Sequence, residues 1–225
     1  MNKLEHFFWN KEDKLTINKW HHYFSVYERH FNKFIGKKPT ILEIGIFKGG
    51  SIQLWNDYFD NECFIYAIDI DPKCLEIEKL NNVKNIKLEL GNQEEPEFWR
   101  KYLKNKPKFD IVIDDGGHTM NQQIVTYDKV YNHMSNNGVY LCEDLHTSYW
   151  KKFGGGLRNP NSFIEYSKNF IDMLNSFHIK NEDKDKCDIQ KYNEFRKQTD
   201  SIHYYDSIIV LEKHNNKNDP SYSKR

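Results

Sequence analysis

Two acidic doublets carry most of the chemistry this chain could perform. "FDIVIDDGGH" runs from Phe109 to His118, and "VYLCEDLH" from Val139 to His146. Each is a short apolar run that ends in two acids, Asp114–Asp115 and Glu143–Asp144, with a histidine just beyond. Short apolar runs bounded by turn signals read as buried strands. The carboxyl ends of such strands are where open α/β sheets hold their ligands. If the two runs are neighbours, about 4.8 Å apart, their ends bring four carboxylates together. These repel one another unless a cation or protons neutralise them. An oxygen-rich site without cysteine suits Mg²⁺, with Mn²⁺ or Ca²⁺ as alternates, better than zinc. Asp115, Glu143 and Asp144 are the expected ligands. Asp114 points to the other face of an ideal pleat and is assigned a structural role. His118 is the expected general base, because an imidazole near neutrality can take the proton of a hydroxyl acidified by a cation. Helix capping would account for one acid per strand end, but not for two doublets.

The elements that would position these groups alternate along the chain. "TILEIGI" from Thr40, "CFIYAIDID" from Cys63, "NIKLELG" from Asn85 and the two runs above read as five strands. Between them lie "SIQLWNDYF", "PKCLEIEKL", "EEPEFWRKYLKN" and a segment from Met120 to His133, all read as helices. Alternation of this kind implies βαβ units and a doubly wound, mostly parallel sheet. Ahead of it, aromatic and apolar residues at Trp20, Phe24, Tyr27, Phe31 and Phe34 are spaced as on an amphipathic helix. After it, "SIHYY" and "SIIVLEK" read as two strands around an Asp206–Ser207 turn.

The first strand leads into "GIFKGGS", with Gly45, Gly49, Gly50 and Ser51. Gly45 lets the backbone turn and a ligand approach without a Cβ in the way. The spacing is neither the G-x-G-x-x-G of nicotinamide enzymes nor a P-loop, which would carry a lysine. The second strand ends at Asp69, roughly 20–25 residues beyond the first glycine turn, where doubly wound folds place an acid on ribose hydroxyls. Asp71 precedes Pro72 and is read as a helix start. Asn92 and Gln93, in the turn after the third strand, could line an adenine.

Together these features resemble class I S-adenosylmethionine-dependent methyltransferases over roughly residues 40–144, with the last two strands matching the reversed hairpin that closes that sheet. "GGSIQLW", "AIDIDP", "DIVIDDGGH" and "EDLHTSYW" resemble, more narrowly, the metal-dependent sugar O-methyltransferases of macrolide and polysaccharide biosynthesis. The resemblance implies a Rossmann-like fold with S-adenosylmethionine as donor and Mg²⁺, or Mn²⁺, as metal. Glu43, Gly45, Gly49 and Ser51 would then lie near the methionine part, Asp69 at the ribose, and Asn92 and Gln93 at the adenine. Positions matching Asp115, Glu143 and Asp144 hold the metal in that group, and the one matching His118 is the base. His146, Tyr149 and Trp150, in a loop that also holds Gly154 to Gly156, are expected to meet a sugar acceptor. That acceptor is expected to be a surface-polysaccharide precursor or a glycosylated natural product. A metal-dependent hydrolase, or a protein like cephalosporin hydroxylases, is the rival on the same fold.

Bulk properties narrow the remaining classes. Lys+Arg and Asp+Glu are both 33, so the formal net charge is zero. That is a poor match to a nucleic-acid partner, and no long apolar run predicts membrane insertion. The four cysteines form no C-x-x-C pair and are read as reduced thiols of a cytoplasmic protein. The expected organisation is one domain over 1–213, with an N-terminal helical segment (1–37), a substrate loop and helical cover (145–200) and a disordered tail (214–225). A homo-oligomer is a further expectation.

Overall fold

A computed structural model describes residues 1–12, 14–77, 80, 83–215 and 217–223. Its strands are β1 (Thr40–Ile44), β2 (Phe64–Asp69), β3 (Ile86–Leu90), β4 (Ile111–Asp114), β5 (Val139–Cys142), β6 (Thr199–Tyr205) and β7 (Ile208–Lys213). They form one sheet in the order β3-β2-β1-β4-β5-β7-β6. The first five are parallel, and the β6–β7 hairpin closes the edge antiparallel to β5. This is the doubly wound, mostly parallel sheet with a C-terminal hairpin that the alternation of elements predicts.

Both faces are covered, so the strands are apolar on both sides. Ile41, Ile65, Ala67, Ile113, Leu141 and Val210 face one core, beneath α1 (Lys3–Asn10), α2 (Tyr23–Phe31) and α3 (Gly50–Tyr58). Leu42, Ile68, Val112, Tyr140 and Ile209 face the other. That side is covered by α4 (Pro96–Leu103), α5 (Met120–Val130), α6 (Phe163–Leu174) and α7 (Ile189–Gln198). The register pairs Asp114 with Cys142 at the ends of β4 and β5. Asp115 and Glu143 therefore leave the sheet side by side.

Several elements differ from the sequence expectation. The helix predicted to include Trp20 begins only at Tyr23, and residues 14–20 form a strap without regular structure across the carboxyl end of the sheet. The strap's polar groups find partners on neighbouring elements rather than along a helix of their own, as the Leu15 N–H does on Gln53 Oε1 of α3 at 2.7 Å. Helix α1 falls within the N-terminal segment (1–37) expected to be helical, and Asn2 and Glu5 cap it reciprocally. Helix α7 forms in a charged run of the segment expected as helical cover (145–200); Asp188 caps it, and Phe195 and Arg196 are buried. The helix expected over 72–80 is a 3₁₀ turn at Pro72–Glu76, and residues 78 and 79 of that expectation lie outside the described residues. In the segment expected to be disordered, the Lys217 N–H donates to the Lys197 carbonyl and Asp219 pairs with Arg196; residues 216, 224 and 225 lie outside the described residues. All four cysteines are free thiols. No helix among the described residues is long and apolar enough to cross a membrane.

Candidate active site at the carboxyl ends of the central strands

The turn after β1 is shaped by close approaches. Gly45 has φ 95°, and a Cβ there would stand 2.1 Å from the Asp115 carbonyl oxygen. Glycine is what lets the β1 and β4 turns touch. Gly50 serves a different neighbour: its Cβ would meet Thr16 O and Ile17 Cγ1 at 2.4 Å each. The Gly49–Gly50 pair thus seats the strap on the start of α3. Gly49 lies against Leu15 and Leu80, away from the cavities described below.

Asp69 ends β2 and binds this turn. Its Oδ2 accepts the Ile46 and Phe47 N–H groups at 2.8 and 3.1 Å, and its Oδ1 accepts the Asp71 N–H at 2.9 Å. Burial works against the charge, but these backbone donors outweigh it and hold the carboxyl below the usual range. Asp71 caps the following 3₁₀ turn through the Lys73 N–H, as the sequence implied. Glu43 lies under the turn, fully buried, held by Ser51 and by the Trp55 indole N–H at 3.2 Å. Burial raises its carboxyl to about 7.

A cavity of about 270 Å³ opens over these strand ends, lined by Gly45, Phe47, Asp69, Asn92, Gly116 and Gln122 among others. Gln93 reaches it too, but its amide is already engaged: Nε2 donates to Asp114 Oδ1 and Thr126, and Oε1 accepts the Gly117 N–H at 2.8 Å. It braces the Gly116–Gly117 turn. A second cavity of about 230 Å³ is lined by Asn18, Lys19, Ser51, Asp115, His118 and Asp144. Gly45, Phe47, Asp115 and Gly116 line both cavities, which are therefore adjoining compartments of one cleft.

In the second compartment Asp115, His118 and Asp144 each offer a ligand atom, all within 4.8 Å of one another. His118 Nε2 lies 3.5 Å from Asp144 Oδ2 and 3.8 Å from Asp115 Oδ1. His118 and Asp144 both have left-handed backbones, at φ 58° and 54°. For residues other than glycine this costs about 1–3 kcal/mol each, and such strain gathers at functional sites. Glu143 is placed differently: buried, with Oε1 accepting the Tyr27 hydroxyl at 2.7 Å and Oε2 2.7 Å from Lys19 Nζ. Burial, then the neighbouring Asp115, raises the Glu143 carboxyl to about 8. Burial would strip the Lys19 proton, yet Asp115, Glu143 and Glu43 outweigh it and keep the ammonium charged. Asp114 faces the opposite core, where Gln93 and Tyr140 donate to it and burial raises it to about 7. The hard carboxylate oxygens with one imidazole form a donor set that fits a hard divalent cation.

Three groups at this site escaped the sequence reading. Lys19 contacts Asp115 and Glu143, Tyr27 holds Glu143, and the Tyr23 hydroxyl donates to Asp144 Oδ1 at 2.8 Å. The four-residue spacing of Tyr23 and Tyr27 could have flagged two hydroxyls on one helix face. Nothing in the pattern singles out Lys19. On the outer rim, His146 Nδ1 is 2.6 Å from Ser207 Oγ, and its ring stands between Trp20 and Trp150 at 6.0 and 4.7 Å. Tyr149 lines a neighbouring groove together with His146, Ile171, Tyr204 and Asp206.

No protein-family model matches the chain. It is 33% identical over 143 residues to demethylmacrocin O-methyltransferase of Streptomyces fradiae, covering 60% of this chain and 34% of that protein. It is 29% identical over 180 residues to L-olivosyl-oleandolide 3-O-methyltransferase of Streptomyces antibioticus, covering 72% and 45%. Among solved structures, the MycE methyltransferase of the mycinamycin biosynthetic pathway, in complex with Mg and SAH, superposes with a TM-score of 0.78 at 25% identity, over 93% of this chain and 53% of that one. The chain thus spans between a third and a half of the length of these curated relatives and about half of the MycE chain. The fold is that of class I methyltransferases, and the resemblance to sugar O-methyltransferases read from the motifs holds in both comparisons.

Proposed function

We propose that this chain is an O-methyltransferase that moves a methyl group from S-adenosylmethionine to a sugar hydroxyl with the help of Mg²⁺ or Mn²⁺. One observation carries the reading: the Asp69 cavity and the Asp115–His118–Asp144 cluster are adjoining compartments that share Gly45, Phe47, Asp115 and Gly116. A donor in the first and a hydroxyl in the second would meet at that shared wall. The relatives whose names record sugar O-methylation support the acceptor class. Those names favour a glycosylated small molecule. A polysaccharide precursor is the other acceptor of this chemistry.

Asp69 would accept the ribose hydroxyls with the oxygen lone pairs its three backbone donors leave free. Asn92 stands at the adenine end, and the Gly45 turn admits the donor's sulfur side without a Cβ in the way. Asp115 and Asp144 would hold the cation, with Glu143 beside them. When bound, the cation makes a coordinated sugar hydroxyl more acidic. His118 Nε2 points between Asp115 and Asp144 and would receive that proton. The donor would supply the methyl group to that oxygen, and the chief contribution of the chain would be to align the two across the wall of Gly45, Phe47, Asp115 and Gly116. His146 and Trp150, joined by Trp20, would present ring faces and edges to the acceptor at the mouth.

Calorimetric titration with S-adenosylhomocysteine, with NAD and Asp69→Ala as controls, tests the donor half. Binding that the substitution weakens is expected. Absence of binding, with or without Mg²⁺, would overturn the reading and bring the hydrolase alternative forward.

A further inference from the structure

The strap brings one group to the site that the proposed chemistry does not use. The Lys19 side chain is 3% exposed, and its ammonium contacts Asp115 Oδ2 and sits 2.7 Å from Glu143 Oε2. The ring centroid of Tyr27 lies 5.9 Å away on the same side, and its hydroxyl takes the other Glu143 oxygen. The protein's own donors thus hold both oxygens of Glu143 and one of Asp115. Asp115 Oδ1 and Asp144 Oδ2 remain facing His118. An ammonium and a divalent cation seek the same partner, an ionised carboxylate oxygen, and two cations held on one carboxylate pair repel strongly at low dielectric.

We propose that Lys19 is the resident cation of this site: it holds Asp115 and Glu143 together in the metal-free protein and is exchanged for the divalent ion. The inference rests on the metal reading above and adds a competitor supplied by the chain itself. The anchoring of the strap is uneven in a way that permits exchange. Upstream, Leu15 is bonded to Gln53, and Thr16 and Ile17 are wedged against Gly50. Downstream, α2 starts at Tyr23. Between them Trp20 is 56% exposed and touches the rim edge-on at His146. Release of the Lys19 ammonium would therefore shift Trp20 against His146, and metal occupancy would be felt at the acceptor mouth.

Two measurements on the full chain test this. In the first, Mn²⁺ affinity is measured by electron paramagnetic resonance for the wild type, Lys19→Met and Lys19→Arg. Lys19→Met should bind at least about tenfold more tightly, since removing a competing charge frees both carboxylates, while Lys19→Arg should stay close to the wild type. Equal or weaker binding by Lys19→Met would overturn the exchange and make Lys19 a fixed orienting group. Binding by none of the three would overturn the metal reading itself, and the inference with it. The second measurement does not depend on how Lys19→Met folds. Titrating the wild type with Mg²⁺ should change tryptophan emission, and Trp20→Phe should remove that change. Emission unaltered at saturating Mg²⁺ would also sink the exchange.

Discussion

Replacing Tyr27 by phenylalanine removes one oxygen from a fully buried position and leaves Glu143 Oε1 without its 2.7 Å donor. The cost should depend on pH, because the Tyr27 hydroxyl favours the ionised acid. Burial raises the Glu143 carboxyl to about 8. An acid raised in this way binds its proton more tightly folded than unfolded, so its contribution to stability falls as pH rises from the ordinary carboxylate range through about 8. Without Tyr27 the acid is raised further, and the fall continues to higher pH. Toward the acid side, where Glu143 takes up its proton, the loss is that of a neutral hydrogen bond, about 1 kcal/mol. Toward the alkaline side, where the ionised acid pairs with Lys19, the loss grows to about 2–3 kcal/mol. For a chain of this size each kcal/mol lowers the melting temperature by roughly 2–4 °C. Thermal unfolding of the chelator-treated protein should therefore show a gap between variant and wild type that about doubles from pH 6 to pH 9. A gap that stays constant across this range would refute the link between Tyr27 and the ionisation of Glu143.

Other substitutions probe the site at separate points. Asp69→Ala should weaken S-adenosylhomocysteine binding by roughly 1–3 kcal/mol, as for loss of hydrogen bonds to a charged group, and unchanged calorimetry would remove Asp69 from the donor site. His118→Ala should cut methyl transfer by about 10²-fold or more while Mn²⁺ affinity stays near that of the wild type; loss of metal binding would make the imidazole a ligand instead of a base. Asp115→Asn should abolish turnover in Mg²⁺ yet keep S-adenosylhomocysteine bound, and full turnover would end the metal assignment. Asp114, raised to about 7 by burial, destabilises the fold as pH rises from its ordinary range through that value. Asp114→Asn should therefore gain stability relative to the wild type between pH 5 and pH 8. Denaturant melts at both values would expose the opposite trend.

The central sheet and both acidic doublets were legible because their signals are local. A parallel strand buried on both faces must be a continuous apolar run, and its carboxyl end must show polar residues where a ligand binds. The opposite facing of Asp114 and Asp115 follows from the pleat alone. What escaped depends on partners far along the chain. Trp20 and Phe24 keep helical spacing, so the strap read as helix; only the groove beside Gly50 and the acids of β4 and β5 pull residues 14–20 out of a helix. Helix α7 buries little besides Phe195 and Arg196, so its apolar stripe was too thin to read against its charges. Gln93 illustrates the limit for sites: its type suits an adenine, but its amide is spent on Asp114, Thr126 and Gly117.

The strap also bears on how the chain folds. Lys19 meets Asp115 and Glu143 across 96 and 124 residues of sequence. Contacts of that span form late, since the intervening chain must be ordered first. A chain emerging from the ribosome would present the lysine long before either acid. Once β4 and β5 paired, their acids would repel until the strap docked. The neutralising contact therefore doubles as a completion signal for the domain. A chain without its first 22 residues would lose the cover of α1, with Leu4 and Phe7, and would carry an uncompensated negative cleft as well.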